Sequence, residues 1–158
     1  MRRLRLKGGT IDAIDAKILR TLAKDGRMTM ADLARTVGLS PPSVTERVRR
    51  LEETGVIEGY GARISSIGLG LPLSAYIRIR PMPGQLRKVT DVLNGLEAIV
   101  ECDRVTGEDC FIAKAHVGSV ADLEKVIDAI IPYAMTNTSI IHSSPVRHRL
   151  PPFPKATA

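Results

Sequence analysis

The chain has 158 residues, 44% hydrophobic and 25% charged, with 3% aromatic residues and no Trp. This is the composition of a soluble globular protein with aliphatic cores, and the length admits one ordinary domain or two small ones. Formal net charge is +6, yet residues 1–65 hold 13 Lys and Arg against 8 Asp and Glu, while residues 66–158 hold 10 against 9, so the excess sits in the N-terminal part and suits a polyanionic partner.

No run of about 18 apolar residues is present, which argues against a membrane span. The start "MRRLRLKGG" is basic but is not followed by an apolar h-region, so it does not read as a secretion signal, and a cytoplasmic protein is expected. Cys102 and Cys110 lack metal-type spacing and read as reduced strand residues.

From Asp12 to Lys24, Ile14, Ile18 and Leu22 recur every four residues with Ala16 and Leu19 beside them, the stripe of an amphipathic helix. Asp25-Gly26 is expected to end it, with Gly in the left-handed conformation. Thr29 then N-caps a short second helix that turns Leu33, Ala34 and Val37 inward, with Asp32 at the third position. Gly38 closes that helix and Leu39 plugs the turn.

Ser40 is expected to accept a backbone N–H as the cap of a third helix, Pro41 to Thr54. Proline is favoured at a helix start, where its missing N–H has no partner to lose, so Pro41 and Pro42 give this helix a sharp beginning. Val44, Val48 and Leu51 fall on one side of the wheel; Ser43, Glu46, Arg47, Arg49, Arg50, Glu53 and Thr54 fall on the other. The turn Val37-Gly38-Leu39-Ser40 between the second and third helices makes a helix-turn-helix, whose last helix enters the major groove of DNA.

Val56 to Ile64 alternates apolar and polar residues and is predicted to be a strand leading away, and "SSIGLGLP" (65–72) marks a boundary. Beyond it come predicted strands at 73–80, 98–105, 109–117 and 137–144, with helices marked by Leu86, Val89, Val92 and Leu93 and by Leu123, Val126, Ile127 and Ile130. The order βαββαβ predicts a ferredoxin-like four-stranded sheet with both helices on one face. The chain thus divides into a helix-turn-helix DNA-binding domain (1–55), a strand linker (56–72), a ferredoxin-like domain (73–146) and a proline-rich tail (147–158), an α+β protein with a winged-helix-like N-terminal part. The tail is expected to be loose or to strap onto a partner.

This layout resembles the Lrp/AsnC family of bacterial and archaeal regulators. "IDAIDAKILRTLAKDGR" (11–27) is similar to the family's first helix, "LARTVGLSPPSVTERVRRLEETGVIEGY" (33–60) to its helix-turn-helix, and "VTGEDCF" (105–111) to its ligand-loop motif. The resemblance spans roughly residues 11–146. One departure stands out: family members often carry an aromatic residue and then Asp after the Gly-acid pair, whereas this chain has Asp109 and then Cys110. The acid is displaced by one place, and side chains alternate across a strand, so its face is left open.

At the DNA end, Ser40 and Pro41 at the helix start suit a phosphate, since unpaired N–H groups and the helix dipole attract anions there. Ser43, Thr45 and Arg47 lie in the first two turns, where bases are read, and Arg47 has the fork to take guanine O6 and N7 together. Arg49 and Arg50 are expected to track phosphates, with intrahelical pairing to Glu46, Glu52 or Glu53 as the alternative. The basic "RRLRLK" suits a minor-groove or phosphate arm, or a solvated terminus.

Two copies are normally needed to read adjacent half-sites, and the uncovered sheet face, with part of the alternating apolar set, is the expected dimer contact. The resemblance implies such dimers, often joined into octamers, and an amino-acid effector held near the Gly loop. That site maps to Val105, Thr106, Gly107, Glu108, Asp109 and Cys110, faced by Asn137, Thr138, Ser139 and Ile140. Glu108 or Asp109 would hold an α-ammonium, and Thr138 or Ser139 a carboxylate. No cofactor, metal site or catalytic set is expected: His116, His142 and His148 are scattered and neither Cys has a His nearby in the chain. The rivals are a ligand-independent architectural DNA-binding protein and a siroheme-decarboxylase-like enzyme of similar layout.

Overall fold

A computed structural model describes residues 11–146 and 149–153; the basic "RRLRLK" arm and most of the predicted tail lie outside them. Among the described residues, those up to Ala62 together with those from Val146 onward make one compact unit, and Arg63–Pro145 makes the other.

In the first unit, α1 (Ala13–Lys24), α2 (Met30–Val37) and α3 (Pro41–Glu53) pack around Ile18, Leu22, Leu33, Val37, Val44, Val48 and Leu51. α1 starts in a capping box built from two aspartates: the Asp12 carboxylate accepts the Asp15 N–H at 2.7 Å, and the Asp15 carboxylate accepts the Asp12 N–H at 3.3 Å. Gly26 does not close α1 in the left-handed way the sequence suggested; Asp25 leaves the helix in extended conformation (φ −141°) and its side chain accepts the Arg27 N–H. Gly38 does take the left-handed conformation (φ +82°) at the end of α2.

Ser40 caps α3 by backbone conformation but not by side chain; its Oγ lies 2.9 Å from the Ser43 Oγ instead. With proline at the first two helical positions, one of the two N–H groups that a cap side chain normally serves does not exist.

The strand predicted at Val56–Ile64 is absent. Val56 and Ile57 donate to the Leu51 carbonyl (2.9 and 3.0 Å), closing α3. The chain from Glu58 to Ser65 is exposed and takes part in no ladder of the described residues. Alternation marks a face, whereas a strand requires a neighbouring edge to bond. The connector after it contains one 3-10 turn, Ile67–Leu69.

The second unit follows the predicted order: β1 (Leu73–Pro81), α4 (Leu86–Gly95), β2 (Ile99–Arg104), β3 (Phe111–Val117), α5 (Val120–Ile130) and β4 (Ala134–Ile140), in an antiparallel sheet of order β2-β3-β1-β4. β4 begins and ends earlier than the predicted 137–144. β1 begins at Leu73, and the β1–β4 ladder, which pairs Ala75 with Ile140, ends with an Ile141 N–H to the Ser74 carbonyl, leaving the following residues no edge.

α4 and α5 cover the sheet face that presents Ala75, Ile77, Ile79, Phe111, Ala113, Ala115 and Val117. By register the other face carries Tyr76, Arg78 and Arg80, then Ile112, Lys114 and His116, then Met135, Asn137 and Ser139. This face is mainly charged and polar, and Tyr76, Ile112 and Met135 are the part of the alternating apolar set that these three strands place on it.

Near the end of the chain, the Phe153 ring lies under the Arg20 guanidinium of α1, 4.7 Å from the ring centroid. At this point the tail rests on its own chain's first unit.

Candidate nucleic-acid interface and ligand cleft

Pro41, Pro42, Ser43, Thr45, Glu46, Arg49 and Arg50 are exposed on α3, opposite the buried Val44, Val48 and Leu51. Thr45 is exposed and its Oγ1 donates to the Pro41 carbonyl at 2.9 Å, so its hydroxyl proton is already engaged.

The three arginines are all paired, and in different ways. Arg49 bridges its own helix, to Glu46 at 2.7 and 3.1 Å and to Glu53 at 2.6 Å. These pairs are fully exposed; the Glu46 carboxylate is held below its ordinary value by the Arg49 guanidinium. Water screens exposed pairs strongly, so Arg49 can exchange a carboxylate for a phosphate at little cost.

Arg47, expected to read bases, is held by the first turn of α1. Its Nη1 donates to Asp12 Oδ2 at 2.6 Å and to Asp15 Oδ1 at 2.8 Å, and its side chain is 28% exposed. Arg50, expected to pair along α3 or reach phosphate, donates through Nη2 to Asp15 Oδ2 at 2.6 Å. Asp15 itself is fully buried, the one buried charged residue among those described. The carboxyl of Asp12 is held below its ordinary range by the Asp15 N–H and then by Arg47, while Asp12 and Asp15 hold the Arg47 proton more tightly than usual.

Neither aspartate was among the sequence-selected residues. The available signal was position: Asp15 falls on the apolar stripe with Ile11, Ile18 and Leu22, where a carboxylate needs a partner. Tyr60 was missed as well. Its hydroxyl donates to Glu52 at 2.8 Å, and burial followed by that carboxylate pushes its pKa to about 12.

In the second unit, the β2–β3 loop turns at Gly107 (φ +121°), a conformation that favours glycine. The Val105 N–H donates to the Cys110 carbonyl, and the Cys110 N–H to the Ile79 carbonyl at 3.0 Å, which binds the loop to β1. Arg80 Nη2 donates to Glu108 Oε2 at 2.5 Å and lies 3.6 Å from Asp109 Oδ1.

A cleft of about 270 Å³ is lined by Arg78, Arg80, Asp109, Met135, Thr136 and Asn137. Of the sequence-selected residues it therefore joins Asp109 and Asn137. Thr106, Gly107 and Glu108 form the exposed loop tip, and Val105 and Cys110 are half-buried, Cys110 against the core. Ser139 pairs with Tyr76 on the open face, beyond the cleft. Thr138 and Ile140 pair with Ile77 and Ala75 and so point to the same face as those residues, although Ile140 stays exposed there; because strand side chains alternate, they do not share a face with Asn137. Arg78 and Arg80 were missed, although the alternation in "YIRIR" put both on the non-apolar side of β1.

A larger groove of about 420 Å³ lies between α4 and β2, lined by residues such as Thr90, Asn94, Glu97 and Arg104, and it includes none of the selected residues. Among the described residues no three His, Cys, Asp or Glu side chains cluster as a metal site, and no helix is long and apolar enough to cross a membrane.

Residues 11–58 match the winged helix-turn-helix DNA-binding family, and residues 74–151 match the Lrp/AsnC ligand binding domain. The chain belongs to the Lrp/AsnC family. This Lrp/AsnC chain is 37% identical over 133 residues to the transcriptional regulator LrpC of Bacillus subtilis, covering 84% of this chain and 92% of that protein. The solved LrpC structure superposes with a TM-score of 0.82 at 36% identity over 86% of this chain and 97% of that one. A feast or famine regulatory protein from Mycobacterium tuberculosis, solved with L-methionine, gives 0.80 at 36% identity and covers 89% and 98%. An L-methionine complex of a regulator from Neisseria meningitidis gives 0.81 at 25% identity and covers 90% and 97%. These relatives are named as regulators, not enzymes, and the Lrp/AsnC chain described here is a DNA-binding transcription regulator.

Proposed function

We propose that this regulator binds operator DNA as a homodimer or larger homo-oligomer, and that a free α-amino acid in the cleft beside the Gly107 loop changes its assembly and its DNA binding. α3 lies in the major groove, with Ser40, Pro41, Ser43, Thr45, Arg49 and Arg50 turned to the duplex. One helix-turn-helix makes few contacts, so paired half-sites and a two-fold assembly follow, with dimers joining toward an octamer. A regulator of the chromosome works in the bacterial or archaeal cytoplasm.

The observation that carries the effector reading is the charge arrangement of the cleft. Arg80 is already satisfied by Glu108, whereas Arg78 has no ion-pair partner among the described residues and shares the cleft with Asp109 and Asn137. A zwitterion fits this set: its carboxylate takes the Arg78 guanidinium and its ammonium takes Asp109, with Met135 beside the side chain. Two relatives solved with L-methionine support this class of ligand.

The test is selection of bound genomic fragments with and without each amino acid. Recovery of a recurrent two-fold site whose occupancy changes with at least one amino acid is expected; a fragment set identical across the whole panel leaves an architectural DNA-binding protein. In titration calorimetry, Arg78→Ala is expected to weaken binding of that amino acid by roughly tenfold or more, because a charge-assisted bond is lost. Equal affinity in wild type and variant removes Arg78 from the site.

A further inference from the structure

The buried carboxylate of Asp15 has no counterpart elsewhere among the described residues, and its surroundings are complete. One oxygen accepts from Arg47 at 2.8 Å; the other accepts from Arg50 at 2.6 Å and from the Asp12 N–H at 3.3 Å. Asp12 closes the figure by accepting from Arg47 at 2.6 Å. Two arginines one turn apart on α3 thus grip the first turn of α1, whose aspartates already hold each other in a capping box. The contact spans 32 to 35 positions of sequence and ties the middle of α3 to the start of another helix.

We propose that Arg47 is a positioning residue for DNA recognition: it sets the angle and axial position of α3 against α1, and base discrimination is left to Ser43 and Thr45. For Arg47 to reach a guanine edge it must abandon Asp12 and the buried Asp15. A buried carboxylate that loses one of its guanidinium partners costs more than one bidentate base contact returns. Arg50, more exposed at 45%, can add a phosphate contact while remaining near Asp15; Arg47, nearer the core, cannot. Thr45 lies two residues before Arg47, exposed, with its hydroxyl bonded to the Pro41 carbonyl and its methyl free to meet a thymine methyl. Ser43, also exposed, keeps a hydroxyl that can turn from Ser40 to a base edge.

The inference goes beyond the effector reading and rests on the DNA-binding assignment alone. Its test uses the full chain and a selected operator, every single-base-pair variant of one half-site, and scrambled DNA, with affinities measured by fluorescence anisotropy. Asp12→Asn is the decisive variant. Asn caps a helix as well as Asp, and removal of a negative charge by itself strengthens binding to every duplex through the phosphates. The clamp requires the opposite on the operator: the ratio of operator to scrambled affinity is expected to fall roughly fivefold or more, while the ranking of bases at each position is kept. Arg47→Lys, which retains the charge but not the fork, is expected to do the same.

Loss of preference at a single base pair in Arg47→Ala, with an unchanged or raised ratio in Asp12→Asn, would make Arg47 a base reader and overturn the proposal. Parallel loss on operator and scrambled DNA, matching the folded fraction seen by circular dichroism, would reduce the contact to a purely structural one and overturn it equally.

Discussion

Asp15→Ala is expected to destabilise the three-helix unit by about 3 kcal/mol, near the lower end of the range of about 3 to 5 for removal of one member of a buried ion pair. The lower end applies because what the change strands is not a buried charge on the surviving side. Arg47 and Arg50 keep 28% and 45% of their side-chain surface in water and can hydrate once Asp15 is gone. The loss is still far above that of an exposed pair, at most about 1 kcal/mol, because the capping-box acceptor for the Asp12 N–H goes with it, as does the fixed partner of two α3 arginines. Urea denaturation followed by far-ultraviolet circular dichroism measures it. A shift below about 1 kcal/mol would mean that the network behaves as a surface salt bridge. As an internal contrast, Arg49→Ala removes only exposed pairs with Glu46 and Glu53 and is expected to leave the denaturation midpoint nearly unchanged.

In the sheet unit the largest effect is expected from Ile77→Ala, at about 2 to 5 kcal/mol. Ile77 is fully buried in β1, the central strand that pairs with both β3 and β4, opposite Ala113 on one side and Thr138 on the other. It belongs to the same cluster as Val89 of α4 and Ile130 of α5, so truncation opens a cavity under two helices at once. Neighbouring Ala75, Ala113 and Ala115 are small and offer little to fill it. Ile77→Val, which removes one methylene, is expected to cost about 0.5 to 1.5 kcal/mol. If Ile77→Ala and Ile77→Val are equal in denaturation midpoint, the core under β1 is not close-packed. Since Arg78 follows Ile77 on the same strand and Asn137 is its cross-strand partner, a loosened β1 also loosens the cleft.

Much of the fold was legible because the signals were local. Pro41 and Pro42 marked the start of α3, Gly38 the end of α2, and strand and helix periods in residues 73–140 gave an order compatible with few topologies. The differences between expectation and structure have physical causes of a common kind. The Val56–Ile64 alternation was real but found no neighbouring edge, and Thr138 was grouped with Asn137 because sequence adjacency was allowed to stand for a shared face, which a pleated strand forbids. Arg47 was read from its place on the helix wheel. A wheel shows which residues one helix turns outward, not which acid on another helix waits there.

What the chain determined by itself was what neighbours within about four positions govern, namely helix starts and stops and inward stripes, together with what composition alone gives, the separation of a basic part from a neutral one. Only the tertiary structure decided which charges remain available. Asp15 and Arg47 are 32 residues apart, as Arg80 and Glu108 are 28 apart, and no periodic pattern links positions so distant. Ion pairs of that kind form because packing brings two elements together and burial makes an unpaired charge costly, and both conditions arise only once the chain has folded.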